Sequence, residues 1–181
     1  MIFISKNTIA SALSVALLCI TSGAHAATES ATINITGTVV DNTCTPEWTT
    51  SNVPVDIGRA AVRDFTGAGV AGKSAEFHLK LKDCGTETTN VKVAASGSPD
   101  SNADLFKNDA ANNPATNVGI ALFGGDGETT QLKPGAGEAS YTIAGSSTAD
   151  LAFRAELQQS GSNKPTAGDF STAITLTLSY D

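Results

Sequence analysis

The stretch Gly168-Asp-Phe-Ser-Thr-Ala-Ile-Thr-Leu-Thr-Leu-Ser-Tyr-Asp181 decides the fold class of this chain. Its apolar residues from Ile174 to Tyr180 alternate strictly with threonine and serine, and a period of two places the two sets on opposite faces of a strand. The strand stands at the end of the sequence, so we expect its partner earlier in the chain or on another molecule. To infer the function, it is therefore necessary to identify the segment that completes the sheet beside this strand.

The N-terminus has the features of a secretory signal peptide. Lys6 and the free amine give a weakly positive start, an apolar run covers residues 9–20, and Ala24-His25-Ala26 supplies a small-x-small cleavage site. This pattern predicts a signal peptide over residues 1–26 that is removed on export, whereas a retained N-terminal anchor is the alternative. No later segment is apolar enough to span a membrane, so we expect a soluble, exported product.

Export also changes the cysteine count. Cys19 lies in the apolar run and leaves with it, so Cys44 and Cys84 remain. Two cysteines in an oxidising compartment favour one disulfide bond. A metal pair or a reactive thiol is the competing interpretation, but a metal site needs four clustered ligands and His78 is the one histidine left. We expect neither a metal ion nor another cofactor.

Charge and side-chain chemistry argue against several classes of function. The formal net charge is −7, and no basic patch with interleaved aromatic residues supports binding to nucleic acid. His78 falls on the polar face of its predicted strand, and no serine, cysteine or carboxylate pair has a base at a readable spacing. The sequence therefore predicts a protein that is not an enzyme.

Short alternating runs separated by Gly, Asn, Asp, Ser and Pro predict an all-β sandwich. There is no internal repeat and no helical stripe. Residues 96–116 and 161–168 are predicted as loops, the first with at most a small hairpin. The predicted strands lie at residues 31–39, 53–57, 77–84, 91–93, 118–122, 131–132, 139–143, 151–158 and 174–180.

Several short motifs follow one another along the chain. After the signal peptide come Ile35-Thr-Gly-Thr-Val-Val-Asp-Asn-Thr-Cys44, Leu79-Lys-Leu-Lys-Asp-Cys84 and Asn117-Val-Gly-Ile120. The C-terminal stretch quoted above is a further motif, in which Gly168 is fourteenth from the end and Tyr180 is penultimate. By this order and spacing the whole chain resembles the pilin subunits of chaperone–usher (type 1-like) fimbriae of Gram-negative bacteria.

The resemblance implies an incomplete immunoglobulin-like β-sandwich that lacks its final strand and is completed by a donor strand from a neighbouring subunit. It implies a signal peptide (1–26), an N-terminal donor-strand extension (27–41) and a pilin domain (42–181). The donor residues would be Ile33, Ile35, Gly37 and Val39. The chaperone and groove motif would consist of Gly168, Ile174, Leu176, Leu178 and Tyr180.

The function implied is a structural subunit of a fimbria, or pilus, that supports bacterial adhesion and biofilm formation. A periplasmic chaperone would fill the groove first, and at the outer-membrane usher the extension of the next subunit would replace it. Joining a terminal strand to an alternating segment of another molecule gives a head-to-tail contact that propagates as a filament. The protein would travel through the periplasm to the cell surface.

Other functions remain open at this point. A minor adaptor or a tip-associated adhesive subunit is the main alternative, with an unknown host or surface receptor. A monomeric secreted binding module would follow if residues 31–40 paired within their own domain. A two-domain adhesin or an assembly chaperone would need a longer chain, and an exported enzyme would need catalytic groups that the sequence lacks.

Overall fold

The computed structural model describes residues 33–37, 39, 43–50 and 52–181. The chain divides into two units, Met1–Gly37 and Thr38–Asp181. The predicted signal peptide and most of the predicted extension lie outside the described residues, and residues 33–37 carry no regular secondary structure. Over the described ranges, no helix has the length and apolar character needed to cross a membrane.

The described part of the second unit is built almost entirely of strands. A 3-10 helix at Val62–Asp64 is its one helical turn. In chain order the strands are β1 (Thr45–Pro46), β2 (Ala71–Lys82), β3 (Asn90–Ser96), β4 (Phe106–Lys107), β5 (Val118–Gly124), β6 (Thr130–Leu132), β7 (Glu138–Thr142), β8 (Thr148–Gln159) and β9 (Thr175–Tyr180).

The strands form two antiparallel sheets. The larger has the order β1-β2-β8-β5-β4, with β6 also paired to β5, and the smaller has the order β7-β3-β9. In β2 the side chains of Leu79 and Leu81 are buried while those of His78 and Lys80 are exposed, as the period of two predicts. His78 hydrogen-bonds Asp150 at 2.9 Å on this exposed face, which confirms its prediction as a surface histidine.

The two sheets pack face to face as a sandwich. Tyr141 of β7 lies on Phe153 of β8 with ring centroids 5.5 Å apart, and its hydroxyl donates to the carbonyl of Ala152 at 2.7 Å. Val91 and Val93 of β3 are fully buried in the core between the sheets. Burying each such side chain contributes about 1.5–3 kcal/mol, so the alternating runs specify both the strands and their inner faces.

The structure corrects two predicted strands, since residues 33–37, in the first of them, carry no regular secondary structure. Residues 53–57, predicted as a strand, belong to no strand, and within the described chain residues 53–60 make no backbone–backbone hydrogen bond. Inside the predicted loop 96–116, Phe106 forms an antiparallel bridge with Pro99, which confirms the small hairpin allowed there, and Phe106–Lys107 forms β4, which also pairs with β5. Phe106 is fully buried there, so this segment contributes to the core. The other predicted strands from residue 77 onward are confirmed, with β9 beginning one residue after Ile174.

Cys44 and Cys84 form the predicted disulfide bond, and Trp48 packs against the core nearby. The bond closes a loop of 40 positions, which by the chain-entropy estimate stabilises the fold by about 3–4 kcal/mol. We expect the double variant Cys44→Ser, Cys84→Ser to lose about that much free energy of unfolding in denaturant titrations. Peptide mapping of the non-reduced exported protein should show the linked pair, and two free thiols would contradict the prediction.

Candidate partner-binding groove

A groove of about 860 Å³ lies on the inner side of the larger sheet, next to the chain that leads into β9. Its floor is apolar because alternate side chains of β2, β5 and β8 face it. Phe77, on the β2 side of the floor, stacks on Phe153 with ring centroids 5.1 Å apart. The floor residues are Phe77, Val118, Ile120, Leu122, Ala155 and Leu157.

Two stretches of chain form the sides of the groove: the N-terminal wall, residues 53–62, and the C-terminal wall, residues 165–174. Val53, Val55 and Val62 of the N-terminal wall expose between 37% and 40% of their surface, although most floor side chains are buried. The apolar surface still open to water therefore belongs mainly to the walls. Exposed apolar surface of this kind marks a site of interaction.

From Asp169 onward, the C-terminal wall and β9 are bonded to the rest of the domain through the backbone groups of odd-numbered residues. Asp181 and Asn90 exchange backbone hydrogen bonds of 3.1 and 3.3 Å, so they form a hydrogen-bonded pair of the β3–β9 ladder. Such pairs alternate with non-bonded ones, so the even-numbered backbone groups of β9 point away from β3. Asp169 and Ser171 bond the loop at residues 108–115 in the same way.

The result is a long unpaired edge. From Phe170 to Tyr180 the even-numbered side chains are half-buried and the odd-numbered ones exposed, without a break in the alternation. Within the described residues β9 pairs only with β3, which leaves its other edge free. This edge is about 33 Å long at 3.3 Å per residue. Thr172 also buries its hydroxyl oxygen in the wall without a partner in the described chain.

Gly168 has a packing role at the start of the C-terminal wall. A Cβ atom there would lie 2.5 Å from both the amide nitrogen of Ala115 and the carbonyl oxygen of Asn113. Neither neighbour is a flexible side chain, so only glycine allows the wall to lie this close to the loop at residues 108–115. The close packing of these two backbone segments thus explains why the C-terminal motif has a glycine at this position.

The structure brings the predicted groove residues together. Gly168 and Ile174 line the groove, and Leu176, Leu178 and Tyr180 continue the same half-buried face along β9. Burial raises the pKa of the Tyr180 phenol, so this residue is an uncharged, largely apolar end to the face. Their roles toward a chaperone or a donor strand stay predictions.

The predicted donor residues are described only in part. Ile33 and Ile35 expose 80% and 90% of their surface, and Val39 is fully exposed. Gly37 lies in the stretch 33–37 without regular structure. The binding role of these residues stays a prediction.

Two parts of the groove are not predicted from the sequence. The N-terminal wall carries an alternating signal in Val53, Val55 and Ile57, which predicts a short strand rather than the side of a groove. The loop at residues 108–115 has no sequence signal for its contacts with the C-terminal wall. Among the described residues no cluster of histidine, cysteine and carboxylate side chains could hold a metal ion.

Comparison with known proteins places this geometry in a family. A family described as Fimbrial protein matches residues 33–181. The S-fimbrial protein subunit SfaG of Escherichia coli O6:K15:H31 (strain 536 / UPEC) is 36% identical over 103 residues, 56% of this chain and 58% of SfaG. The chain thus spans little more than half the length of that relative.

Two further proteins match over most of their length. The Major MR/P fimbria protein of Proteus mirabilis (strain HI4320) is 29% identical over 179 residues, 96% of this chain and 98% of that protein. A solved structure of a chaperone–usher pilus aligns with a TM-score of 0.60 at 20% identity, covering 84% of this chain and 96% of the solved one. The sandwich with its open groove is therefore the immunoglobulin-like pilin fold, and the chain belongs to the fimbrial protein family.

Proposed function

We propose that this protein is a structural subunit of a chaperone–usher fimbria and polymerises head to tail by donor-strand exchange. The observation that carries the proposal is the groove, which is apolar and bordered by unpaired backbone on both sides. A β-strand from another molecule would satisfy the free edge of β9 and cover the exposed valines of the N-terminal wall. Adding a strand to an open edge is a recurring mode of peptide recognition.

The extension at residues 27–41 is the segment that fits this groove. An extended segment of that length spans about 50 Å, enough to follow the 33 Å edge. Ile33, Ile35 and Val39 share one face in a period of two, so all three side chains could enter the groove of a neighbouring subunit together. Gly37 on the same face would allow a close approach of the two backbones.

Donation from one subunit to the next explains assembly. The donor segment and the groove are different surfaces, so each contact is heterologous and the chain of contacts stays open. The proposal includes a signal peptide over residues 1–26, the extension over 27–41 and the pilin domain over 42–181. A periplasmic chaperone would occupy the groove before the outer-membrane usher delivers the next subunit. The product would be a surface fimbrium that supports adhesion and biofilm formation.

Occupation of the groove should control stability. We expect residues 42–181 alone to be prone to aggregation, and a peptide of residues 27–41 to raise the melting temperature by about 10 °C at a hundredfold excess over Kd. The measurement is thermal unfolding against peptide concentration. A peptide with aspartate in place of Ile33 and Ile35 is the control and should have little effect. A stable monomer that ignores both peptides would instead indicate the self-contained secreted module.

A further inference from the structure

Asn108 connects the loop at residues 108–115 to the C-terminal wall through hydrogen bonds of both the nitrogen and the oxygen of its side-chain amide. Its Nδ2 donates to the carbonyls of Ala115 at 2.9 Å and Asp169 at 2.8 Å. Its Oδ1 accepts from the backbone amides of Ala110 and Ser171, each at 3.0 Å. Turning the amide over would set N–H against N–H and oxygen against oxygen, so this orientation alone satisfies all four partners.

The loop at residues 108–115 acts as a neighbouring strand for the wall. Asp109 donates its backbone amide to Ser171 at 2.7 Å, and Ala115 donates to Asp169 at 2.9 Å. Asp169 in turn donates to Asn113 at 2.8 Å. The amide of Ser171 finds no backbone carbonyl in this series and bonds Asn108 Oδ1 instead. The side chain therefore supplies the missing bond of an irregular ladder.

This arrangement fixes which backbone groups of the wall stay free. Since Asp169 and Ser171 are bonded outward to the loop, the N–H and C=O groups of Phe170 and Thr172 point to the other side, toward the groove. Without Asn108 the amide of Ser171 would lose its partner, and the wall could rotate away from this orientation. The edge presented to an inserted strand would then be disordered over its first residues.

We propose that Asn108 is a positioning residue for strand insertion: it holds the C-terminal wall so that the backbone of Phe170 and Thr172 faces the incoming segment. The inference rests on the proposed function, since it assigns Asn108 a part in donor-strand binding. Every hydrogen bond of this side chain stays within residues 108–115 and 169–171. The pairing of β3 with β9 and of β2 with β8 does not depend on it.

The test uses the full exported chain in complex with a subunit whose extension fills its groove. Asn108→Ala should speed dissociation of the inserted strand on the order of tenfold, because net losses of about one or two hydrogen bonds convert to that factor. Hydrogen exchange should show faster exchange of the amides of Ser171 and Thr172. The amides of β8 should keep their protection. Asn112→Ala is the matched control, since Asn112 is exposed in the same loop and makes no side-chain hydrogen bond within the described residues.

The outcomes separate this inference from the proposed function. No strand complex with the unaltered chain would overturn the proposed function itself. A normal complex that dissociates equally fast in Asn108→Ala, Asn112→Ala and the unaltered chain would overturn the role of Asn108 alone. An equal loss of stability in filled and unfilled protein, without faster dissociation, would do the same.

A second variant covers poor folding of the alanine protein. Asn108→Asp keeps the oxygen that accepts from Ser171 and Ala110 but sets its second oxygen against the carbonyls of Ala115 and Asp169. This repulsion should push the wall from the loop, so dissociation should be at least as fast as in Asn108→Ala. Dissociation at the unaltered rate in this variant, with normal protection throughout the wall, would also overturn the proposal.

Discussion

Subunits that carry Ile35→Asp are expected to form no polymers, while their export and their capture by a chaperone stay normal. In the proposed complex the side chain at position 35 enters the apolar groove of the neighbouring subunit. An aspartate there would bury an unpaired carboxylate, at a free-energy cost on the order of several kcal/mol. The subunit's own groove, formed by residues of the unit Thr38–Asp181, is untouched by this change. The measurement is the ladder of high-molecular-weight polymers on an unheated gel, with electron microscopy of surface filaments.

Thr36→Asp is the matched control, because adjacent residues of a strand point to opposite faces. Its carboxylate should face solvent in the filled groove, so polymers should form at nearly normal levels. Equal polymer yields from the two variants would mean that residues 27–41 are the wrong segment, or that the register is shifted by one residue.

Periodicity predicts the core of this fold well because the inner faces of its strands are continuous. In β2, Phe77, Leu79 and Leu81 alternate with charged or polar neighbours, and no turn residue interrupts them. The same period runs through β9 and through residues 151–157 of β8, where alternate side chains are the more buried ones and the sequence records the inner face of the sheet. The face formed by Ile174, Leu176, Leu178 and Tyr180 was predictable for the same reason, whereas its part in a groove followed from the resemblance to pilin subunits.

Periodicity gives a wrong prediction where alternate side chains line a groove but their backbone is not paired with another strand. Val53, Val55 and Ile57 alternate like a strand, yet they line an open groove and their backbone has no ladder partner in the described chain. Their pattern fits a strand that becomes paired only when a partner enters. Pattern alone gives no means of telling these two cases apart, because side-chain alternation records the face and not the edge.

The hydrogen bonds that hold the C-terminal wall in place could not be predicted from the sequence, for a different reason. Asn108 stands in a stretch rich in asparagine, aspartate and proline, which is typical of a loop. Its importance comes from Asp169 and Ser171, more than sixty positions away along the chain. Such contacts depend on the folded path of two irregular segments, and no local period encodes them. Gly168 lies on the wall side of the same contact, and it is the one part of the contact that the sequence motif indicates.

Gly168→Ala should therefore damage the groove rather than the export of the protein. The new Cβ would lie 2.5 Å from backbone atoms of Asn113 and Ala115, so wall and loop must separate. That movement strains or breaks the hydrogen bonds between Asp169 and the loop, and overpacking with lost bonds costs about 3 kcal/mol. A domain whose total stability is only about 5–15 kcal/mol tolerates such a loss poorly while its groove is still open.

We expect the Gly168→Ala subunit to reach the periplasm and then be degraded, with little co-purifying chaperone. Immunoblots of periplasmic extract and chaperone pull-downs measure both quantities. Gly161→Ala provides the control, because a Cβ at that glycine meets no atom within 4 Å, and this variant should accumulate normally. Since both substitutions add the same methyl group to a loop glycine, a difference between them isolates the close approach at residue 168. Normal accumulation and normal chaperone binding of Gly168→Ala would show that the wall can shift without loss, and that the glycine is not what keeps the groove open to its partner.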